Sequence, residues 1–305
     1  MDLSEEIKKS RPSLSASSIK TYTSILRSLH NKIFDKECGA VHTEMKLSDF
    51  KEHERILKFL KDMPANRRKT ILSALVVLTD ENTYRTIMNE DVVNYNHEIQ
   101  KQQLTPEQKA SWVSQTDIKN VFDELATHAK MLYTTLRVNT TGKTLKPSDL
   151  QDIQKYVLMA VSSGIFIPPR RLLDYVCFKI KNINKSEDNY LDKNTFVFNK
   201  YKTSKTYGTQ IIELPKELKA IIIKWIKINP TDYLFFDTNM NCLNSVKLNQ
   251  RYNLIFGGKV SVNNFRHSYL TEKFGHTIEQ KKAVDNVMEE MGSSANMLDV
   301  YVKKI

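Results

Sequence analysis

Four side chains in the second half of the chain have the chemistry needed to break and rejoin a phosphodiester bond. They are Arg171, Lys202, Arg266 and Tyr301. A tyrosine hydroxyl can attack phosphorus and form a covalent phosphotyrosine, while two guanidinium groups stabilise the charge that develops on the phosphoryl oxygens. A lysine can protonate the departing 5′ oxygen. Since the phosphotyrosine retains the energy of the broken bond, this chemistry requires neither a metal nor a nucleotide cofactor.

The first arginine follows the end of a predicted helix, in the segment PPRRLLDYVCFKI. Asp174 lies three residues after Arg171. On a following helix this spacing would place the two side chains on one face, and the carboxylate would hold the guanidinium through an ion pair. Arg170 is the alternative first arginine.

The lysine lies in the one region with a clear β-signal. The segments NTFVFNKYKT and TQIIEL are rich in β-branched and aromatic residues and predict a hairpin with Gly208 in its turn. Lys202 would close the first strand, which favours it as the proton donor. Lys205 is the alternative.

Arg266 lies in SVNNFRHSYLTEKFG, where apolar residues recur at helical spacing and predict an amphipathic helix. The arginine would occupy the first turn, where the helix dipole disfavours a cation. An anion nearby would resolve this conflict, either a carboxylate of the protein or a bound phosphate. Tyr301 lies on a further predicted helix, in MGSSANMLDVYVKKI.

These segments together resemble the tyrosine recombinase family of the phage-integrase type. RLLDYVCFKIKNI follows the spacing of the family's first-arginine motif, with Arg171 in the arginine place and Asp174 in the acid place. The hairpin lysine of the family often appears as Lys-Thr, which both Lys202 and Lys205 match. The resemblance spans most of the chain.

The family's last two motifs are present with two changes. NNFRH matches the H-x-x-R-H block with Arg266 and His267 in place, but its first histidine is Asn263. In the late block that ends at the nucleophile, Tyr301, the histidine is replaced by Ser293. Asn and Ser can donate hydrogen bonds to a phosphate, but neither is a general base near neutral pH. The resemblance therefore leaves Asn263, His267 and Ser293 as phosphate-contacting or catalytic candidates.

The resemblance implies a mainly α fold with a small β-hairpin or sheet. We expect a helical core-binding domain over 1–105, a linker over 106–113 and a tyrosine-recombinase catalytic domain over 114–305, and the chain length also suggests two domains. In such a protein the two domains close around DNA as a clamp.

A basic cluster opens one of the predicted N-terminal helices. It consists of Arg67, Arg68 and Lys69. Basic residues at helix ends suit contact with a phosphate backbone, so we expect these three residues to bind DNA.

The activity implied is site-specific cleavage and rejoining of double-stranded DNA through a 3′-phosphotyrosine, for integration or excision of a mobile or viral element. Such recombinases act as tetramers on paired sites, and we expect a monomer or dimer without DNA. Two alternatives stay open. A type IB topoisomerase or telomere resolvase uses the same cleavage chemistry, and a DNA-binding clamp can keep the fold without the activity.

Composition agrees with a polyanionic partner. The 46 Lys and Arg against 35 Asp and Glu give a net charge of +11. No apolar run reaches membrane-spanning length, and we expect no membrane partner. Cys38, Cys177 and Cys242 are widely separated and form no CxxC pair, which argues against a disulfide framework or a zinc site. These features predict an intracellular protein without metal or cofactor, in the host cytoplasm or nucleus if it is viral.

Overall fold

A computed structural model describes residues 1–35, 45–138 and 146–303. The chain divides into two units, residues 1–105 and 106–305, and each has its own hydrophobic core. The mainly helical fold with a small β-sheet that the sequence predicts is confirmed. Within the described ranges, no helix has the combination of length and hydropathy needed to cross a membrane.

The described part of the first unit consists of helices that pack around one apolar core. Its α-helices are α1 (Leu3–Ser10), α2 (Ala16–His30), α3 (His53–Leu60), α4 (Ala65–Thr79) and α5 (Asn82–Gln100). Ser15 caps α2 by accepting a hydrogen bond from the backbone N–H of Ser18 at 3.2 Å. In the core, the fully buried Tyr84 donates its hydroxyl hydrogen to the carbonyl of Phe50 at 2.8 Å, so its polar end is satisfied.

The second unit combines helices with one small sheet. Its described helices are α6 (Pro106–Ala110), α7 (Gln115–Val138), α8 (Pro147–Ser162), α9 (Ser204–Tyr207), α10 (Lys216–Ile228), α11 (Ser245–Phe256), α12 (Val262–Phe274), α13 (Thr277–Glu290) and α14 (Leu298–Tyr301). Its strands are β1 (Tyr190–Asp192), β2 (Thr195–Phe198) and β3 (Gln210–Glu213). The buried face of α10, which includes Leu218, Ile222 and Trp225, contributes to the core of this unit.

The sheet contains the predicted hairpin and one strand more. The strands are antiparallel in the order β1-β2-β3, and Phe196 pairs with Leu191 on one side and Ile212 on the other. The predicted turn is longer than expected, because its residues form the helical turn α9 before Gly208. β1 was not predicted, since three residues are too short to show the alternation by which strands are recognised.

The chain after the first-arginine motif does not form the predicted helix. Only Leu172–Asp174 is helical, as a single 3₁₀ turn. A turn follows at Val176 and Cys177, and Lys179 then forms isolated β-bridges to both Tyr190 and Tyr233. Tyr175 and Phe178 are both buried, so the apolar residues of this irregular segment pack into the core.

Cys177 and Cys242 form a disulfide, although their spacing argued against a disulfide framework. The two residues are 65 positions apart in sequence. The fold brings their segments together, because the N–H of Leu234 bonds to the carbonyl of Phe178 at 2.8 Å and Cys242 bridges to Phe236. Sequence spacing carries no signal of such a pairing. Cys38 lies outside the described residues.

Candidate active site

The two candidate first arginines lie in the loop after α8 and have different environments. Arg170 is 13% exposed; its Nε donates a hydrogen bond to Asp174 Oδ2 at 2.9 Å, and its Nη1 donates one to Gln210 Oε1 at 2.6 Å. The half-buried Arg171 has no ion pair or side-chain hydrogen bond with any residue that the structure describes. The predicted ion pair between Arg171 and Asp174 is therefore wrong. Arg171 has extended backbone (φ −70°, ψ 151°) and precedes a 3₁₀ turn, so the helical geometry that this pair required is absent.

Asp174 is a buried carboxylate at the centre of this loop. Burial raises its pKa, and the neighbouring Arg170 opposes that effect through its charge and its hydrogen bond. Its Oδ1 is buried and has no hydrogen-bond partner among the described residues. The carboxylate thus holds Arg170 firmly at a cost in desolvation.

The candidate lysines lie between β2 and β3. β2 ends at Phe198, so Lys202 does not close the first strand but follows it in a loop. Lys205 lies on α9. Both side chains are exposed, and in the described part of the chain neither has an ion pair or hydrogen bond. Lys200, in contrast, donates to Glu187 at 2.5 Å.

Arg266 lies on α12, just after the first turn rather than within it, because the helix begins at Val262. It is half-buried, and its nearest polar partner among the described residues is Asn263 Oδ1, 3.5 Å from its Nη1. No carboxylate in those residues pairs with it. The adjacent His267 is exposed and has no described partner. The protein carboxylate that would have explained this arginine is therefore missing from the described structure.

Side-chain hydrogen bonds attach α12 to the first residue of α7 and to the segment before it. Asn264 Nδ2 donates to the carbonyl of Ser111 at 2.7 Å, and Gln115 Nε2 donates to Ser268 Oγ at 3.0 Å. Ser111 belongs to the predicted linker, 106–113. These contacts hold the helix that carries Arg266 against the start of the second unit.

Gly164 allows α12 to pack directly on the end of α8. Its φ is +99°, a conformation that L side chains rarely adopt, and a Cβ added here would lie 2.9 Å from Cδ2 of Tyr269. The chain leaves this contact toward Pro169 and the two adjacent arginines. The first-arginine loop and the Arg266 helix therefore share a packing contact.

Tyr301 ends α14 and is 55% exposed. Among the residues described, none forms a hydrogen bond or ring contact with it. Ser293 is half-buried, and its backbone N–H bonds to the carbonyl of Met288 at 2.8 Å, which attaches it to the end of α13. The described contacts join the first-arginine loop, the hairpin and α12, but they do not join Tyr301 to the arginines.

In the first unit, the three residues of the predicted basic cluster differ in what they contact. Arg68 binds Asp91 through two hydrogen bonds, at 2.8 and 2.7 Å, and is only partly exposed. Lys69 Nζ lies 3.0 Å from the ring centroid of Tyr95, a cation–π contact. Arg67 is exposed and has no partner in the described residues. Arg67 is thus the member most available to a ligand.

A basic surface that the sequence analysis missed runs along α2. Two adjoining grooves there are lined by Lys20, Arg27, Lys32 and Arg67, together with several serine hydroxyls and apolar residues, and no Asp or Glu is among the lining residues. None of the four cations has an ion pair within the described ranges. We call this surface the α2 groove. Lys20 and Arg27 are seven residues apart, two turns along one helix face, and that spacing was the available signal.

No group of three or more His, Cys, Asp or Glu in the described residues is arranged to hold a metal ion. No family model and no curated protein matches the chain. Among solved structures, the chain is similar to XerA recombinase, with 12% identity and a TM-score of 0.34 over 89% of this chain and 83% of that one. It is also similar to a lambda integrase dimer bound to a COC′ core site, with 10% identity and a TM-score of 0.44 over 90% of this chain and 69% of that one. Likenesses at this level do not carry a functional assignment.

Proposed function

We propose that this protein is a site-specific tyrosine recombinase that cleaves and rejoins duplex DNA through a 3′-phosphotyrosine, for integration or excision of a mobile or viral element. The observation that carries the proposal is the state of two half-buried arginines. Neither Arg171 nor Arg266 forms an ion pair or a side-chain hydrogen bond with a carboxylate in the described residues, although the charge of Arg171 acts on the nearby Asp174. Two other partly buried arginines, Arg68 and Arg170, are each bound to a buried aspartate, and Arg251 donates a hydrogen bond to Gln151.

A partly buried cation without an anion has lost hydration and gained little in return. A phosphodiester would supply the missing anion, and a guanidinium can bind two of its oxygens at once. The two arginines lie on elements that share the packing contact at Gly164. We therefore assign Arg171 and Arg266 to the scissile phosphate.

In the proposed reaction, the Tyr301 oxygen forms a bond to phosphorus and the bond from phosphorus to the 5′ oxygen breaks. The departing oxygen takes a proton from the Lys202 ammonium. The Tyr301 proton passes to water, which reaches the exposed hydroxyl. Rejoining is the reverse: a 5′ hydroxyl attacks phosphorus, the lysine accepts its proton and the tyrosine leaves. No metal is required by these steps.

The site requires DNA, or a second copy of the chain on DNA, to bring Tyr301 to the arginines. Tyr301 is exposed at the end of a four-residue helix, so its position can change at little cost in packing. Exchange between two DNA sites needs several copies of the chain, and we propose a tetramer on paired sites.

We propose that the α2 groove binds the DNA backbone. Its cations are unpaired in the described residues, and its serines add hydrogen-bond donors for phosphate oxygens. Arg67 belongs to this surface. Arg68 and Lys69 do not line it and are engaged by Asp91 and Tyr95.

One rival function has an observation in its favour. Asn263 and Ser293 stand where the resembled family has histidines, and Tyr301 is not joined to the arginines. A clamp that binds DNA without cutting it would have these features. Cleavage by a monomer that relaxes supercoiled DNA without paired sites would instead indicate a type IB topoisomerase.

The proposal is tested by covalent trapping on nicked duplexes, in which a short strand leaves after cleavage and rejoining is prevented. We expect wild type to form an adduct that resists SDS, in EDTA. Arg266→Gln should lose the adduct with little loss of DNA binding. Lys259→Gln removes one charge from an exposed lysine of the same unit and is the matched control. Tight binding by wild type without any adduct would contradict the proposal and support the non-cutting clamp.

A further inference from the structure

Arg170 contacts the hairpin on both sides of the segment that carries the candidate lysines. Its Nη1 donates to Gln210 Oε1 at 2.6 Å, at the first residue of β3. Its guanidinium carbon lies 4.0 Å from the ring centroid of Phe198, the last residue of β2, and 5.0 Å from that of Tyr201. Arg170 thus makes cation–π contacts with two aromatic rings and connects the first-arginine loop to both strands.

The segment between those strands is closed by its own hydrogen bonds. Tyr201 donates its hydroxyl hydrogen to the carbonyl of Gly208 at 2.7 Å, across the turn that contains α9. At the base, Thr209 Oγ1 donates to Asn199 Oδ1 at 2.9 Å, and the buried Asn189 accepts from the backbone N–H of Asn199 at 2.9 Å. A lysine on a loop with these contacts has a restricted backbone, although its side chain is free.

Arg170 itself is held by the protein and is largely buried. Its Nε and Nη1 each donate a hydrogen bond to a protein side chain, and 13% of the side chain is exposed. Its aspartate partner is 3% exposed, so the pair is largely removed from water. Breaking one partner of such a pair is strongly destabilising. These contacts suit a structural anchor and not a residue that grips and releases a phosphate.

We propose that Arg170, Gln210 and Tyr201 form a positioning unit that sets the place of the Lys202 ammonium at the scissile bond. Tyr201 is the direct link, because it contacts Arg170 through its ring, closes the loop through its hydroxyl and precedes Lys202 in sequence. This inference rests on the proposed function and deepens it, since it assigns residues outside the four catalytic ones. It also assigns different roles to the adjacent arginines: Arg171 binds the phosphate, and Arg170 helps to position the lysine.

The test uses a leaving group that needs no proton. A thiol has a pKa near ~8.5, far below that of an alcohol, so a 5′ sulfur leaves as a thiolate without help from an acid. Nicked duplexes with either oxygen or sulfur at the scissile 5′ position are cleaved in single turnover by the full-length chain. A defect in proton donation slows the oxygen substrate only, whereas a defect in phosphate binding or folding slows both.

Tyr201→Phe is the central variant, because it keeps the ring beside Arg170 and removes only the hydroxyl that closes the loop. We expect oxygen-substrate cleavage to fall on the order of 10-fold to 10²-fold, as for a displaced general acid, with sulfur-substrate cleavage and DNA affinity near wild type. Lys202→Ala should show the same selective defect, only larger. Tyr207→Phe changes an exposed tyrosine on the same loop whose hydroxyl has no described hydrogen bond, and it should change neither rate.

Gln210→Glu tests the hydrogen bond from Arg170 to β3. The variant keeps an acceptor for Arg170 and should therefore retain most of the cleavage rate on the oxygen substrate. Equal slowing of both substrates by Tyr201→Phe, or no slowing at all, would overturn the inference while leaving the adduct chemistry in place. If the sulfur substrate restored cleavage to Lys205→Ala but not to Lys202→Ala, Lys205 and not Lys202 would be the proton donor. Absence of cleavage by wild type on either substrate would remove the proposed function and this inference with it.

Discussion

At the scale of single residues, adjacent arginines with the same chemistry have different environments. Arg170 is buried against Asp174, Gln210 and two rings, and Arg171 has no ion pair or side-chain hydrogen bond in the described residues. The sequence singled out both positions but could not distinguish their environments, because its spacing rule assumed a helix after Arg171. The chain there is a 3₁₀ turn, and the acid therefore binds the other arginine.

This difference predicts opposite outcomes for two conservative variants. Arg171→Lys keeps the charge but loses the fork that binds two phosphate oxygens, so adduct formation should fall on the order of 10²-fold or more with unfolding unchanged. Arg170→Lys cannot keep both hydrogen bonds and should lower the free energy of unfolding by roughly 1–3 kcal/mol. Single-turnover cleavage and urea unfolding measure the two effects. If Arg171→Lys cut DNA like wild type, the phosphate would have to be assigned to Arg170.

Asp174 predicts a specific dependence of stability on pH. Its pKa in the folded protein is raised above the ordinary value of 3.8, chiefly by burial. The folded state therefore binds this proton more readily than the unfolded state. Its contribution to stability is fully present below the ordinary value and is lost as pH rises through the folded pKa.

Asparagine at this position has no such titration. The free energy of unfolding of wild type, relative to Asp174→Asn, should therefore increase as pH falls from neutral toward ~4. Urea unfolding of both proteins over a pH series measures this difference. A difference that stays constant or shrinks on acidification would show that Arg170, and not burial, controls the carboxylate.

At the scale of elements, the site depends on how α12 and the hairpin meet the first-arginine loop. The helical period correctly predicted α12, and β-branched residues correctly predicted β2 and β3. The contacts between them were not predictable from patterns. Asn264 and Ser111 are 153 positions apart, and Gln210 meets Arg170 across 40 positions. Such pairings follow from the tertiary fold, which periodicity does not encode.

Gly164 tests the contact between α8 and α12. Gly164→Ala introduces a Cβ at a φ of +99° and 2.9 Å from Tyr269, so we expect a loss of roughly 1–3 kcal/mol in the free energy of unfolding. Gly258→Ala is the matched control, because nothing lies within 4 Å of its added Cβ and its φ is not positive. That change should stay within roughly 0.5 kcal/mol. Equal effects of the two substitutions would contradict the close packing at Gly164.

At the scale of the whole molecule, a net charge of +11 predicted a polyanionic partner, but not which surface would meet it. The sequence pointed to Arg67, Arg68 and Lys69 because they are contiguous. In the structure, Asp91 binds Arg68 and the ring of Tyr95 contacts Lys69. The cations that line the α2 groove have no ion pair in the described residues. A cluster in sequence is thus a poor guide to a surface when a buried acid such as Asp91 lies nearby.

The α2 groove predicts how DNA affinity depends on salt. Each lost phosphate contact reduces the slope of log affinity against log salt by ~0.9. The double variant Lys20→Ala/Arg27→Ala should therefore bind DNA more weakly, with a slope that is smaller by ~1.8. Lys69→Ala should leave the slope unchanged, because that lysine is engaged by Tyr95. If Lys69→Ala reduced the slope and the double variant did not, the DNA-binding surface would have to be assigned to the contiguous basic cluster instead.

The central claim is that Tyr301 becomes covalently joined to DNA. The most direct measurement is mass spectrometry of the peptide–DNA adduct, after wild type and Tyr301→Phe have been incubated with a library of nicked duplexes in EDTA. We predict a nucleotide attached through a 3′ phosphate to Tyr301 in wild type, and no adduct in the variant, which should bind the same duplexes with unchanged affinity. An adduct on another residue, or one that persists in Tyr301→Phe, would contradict the assignment of the nucleophile.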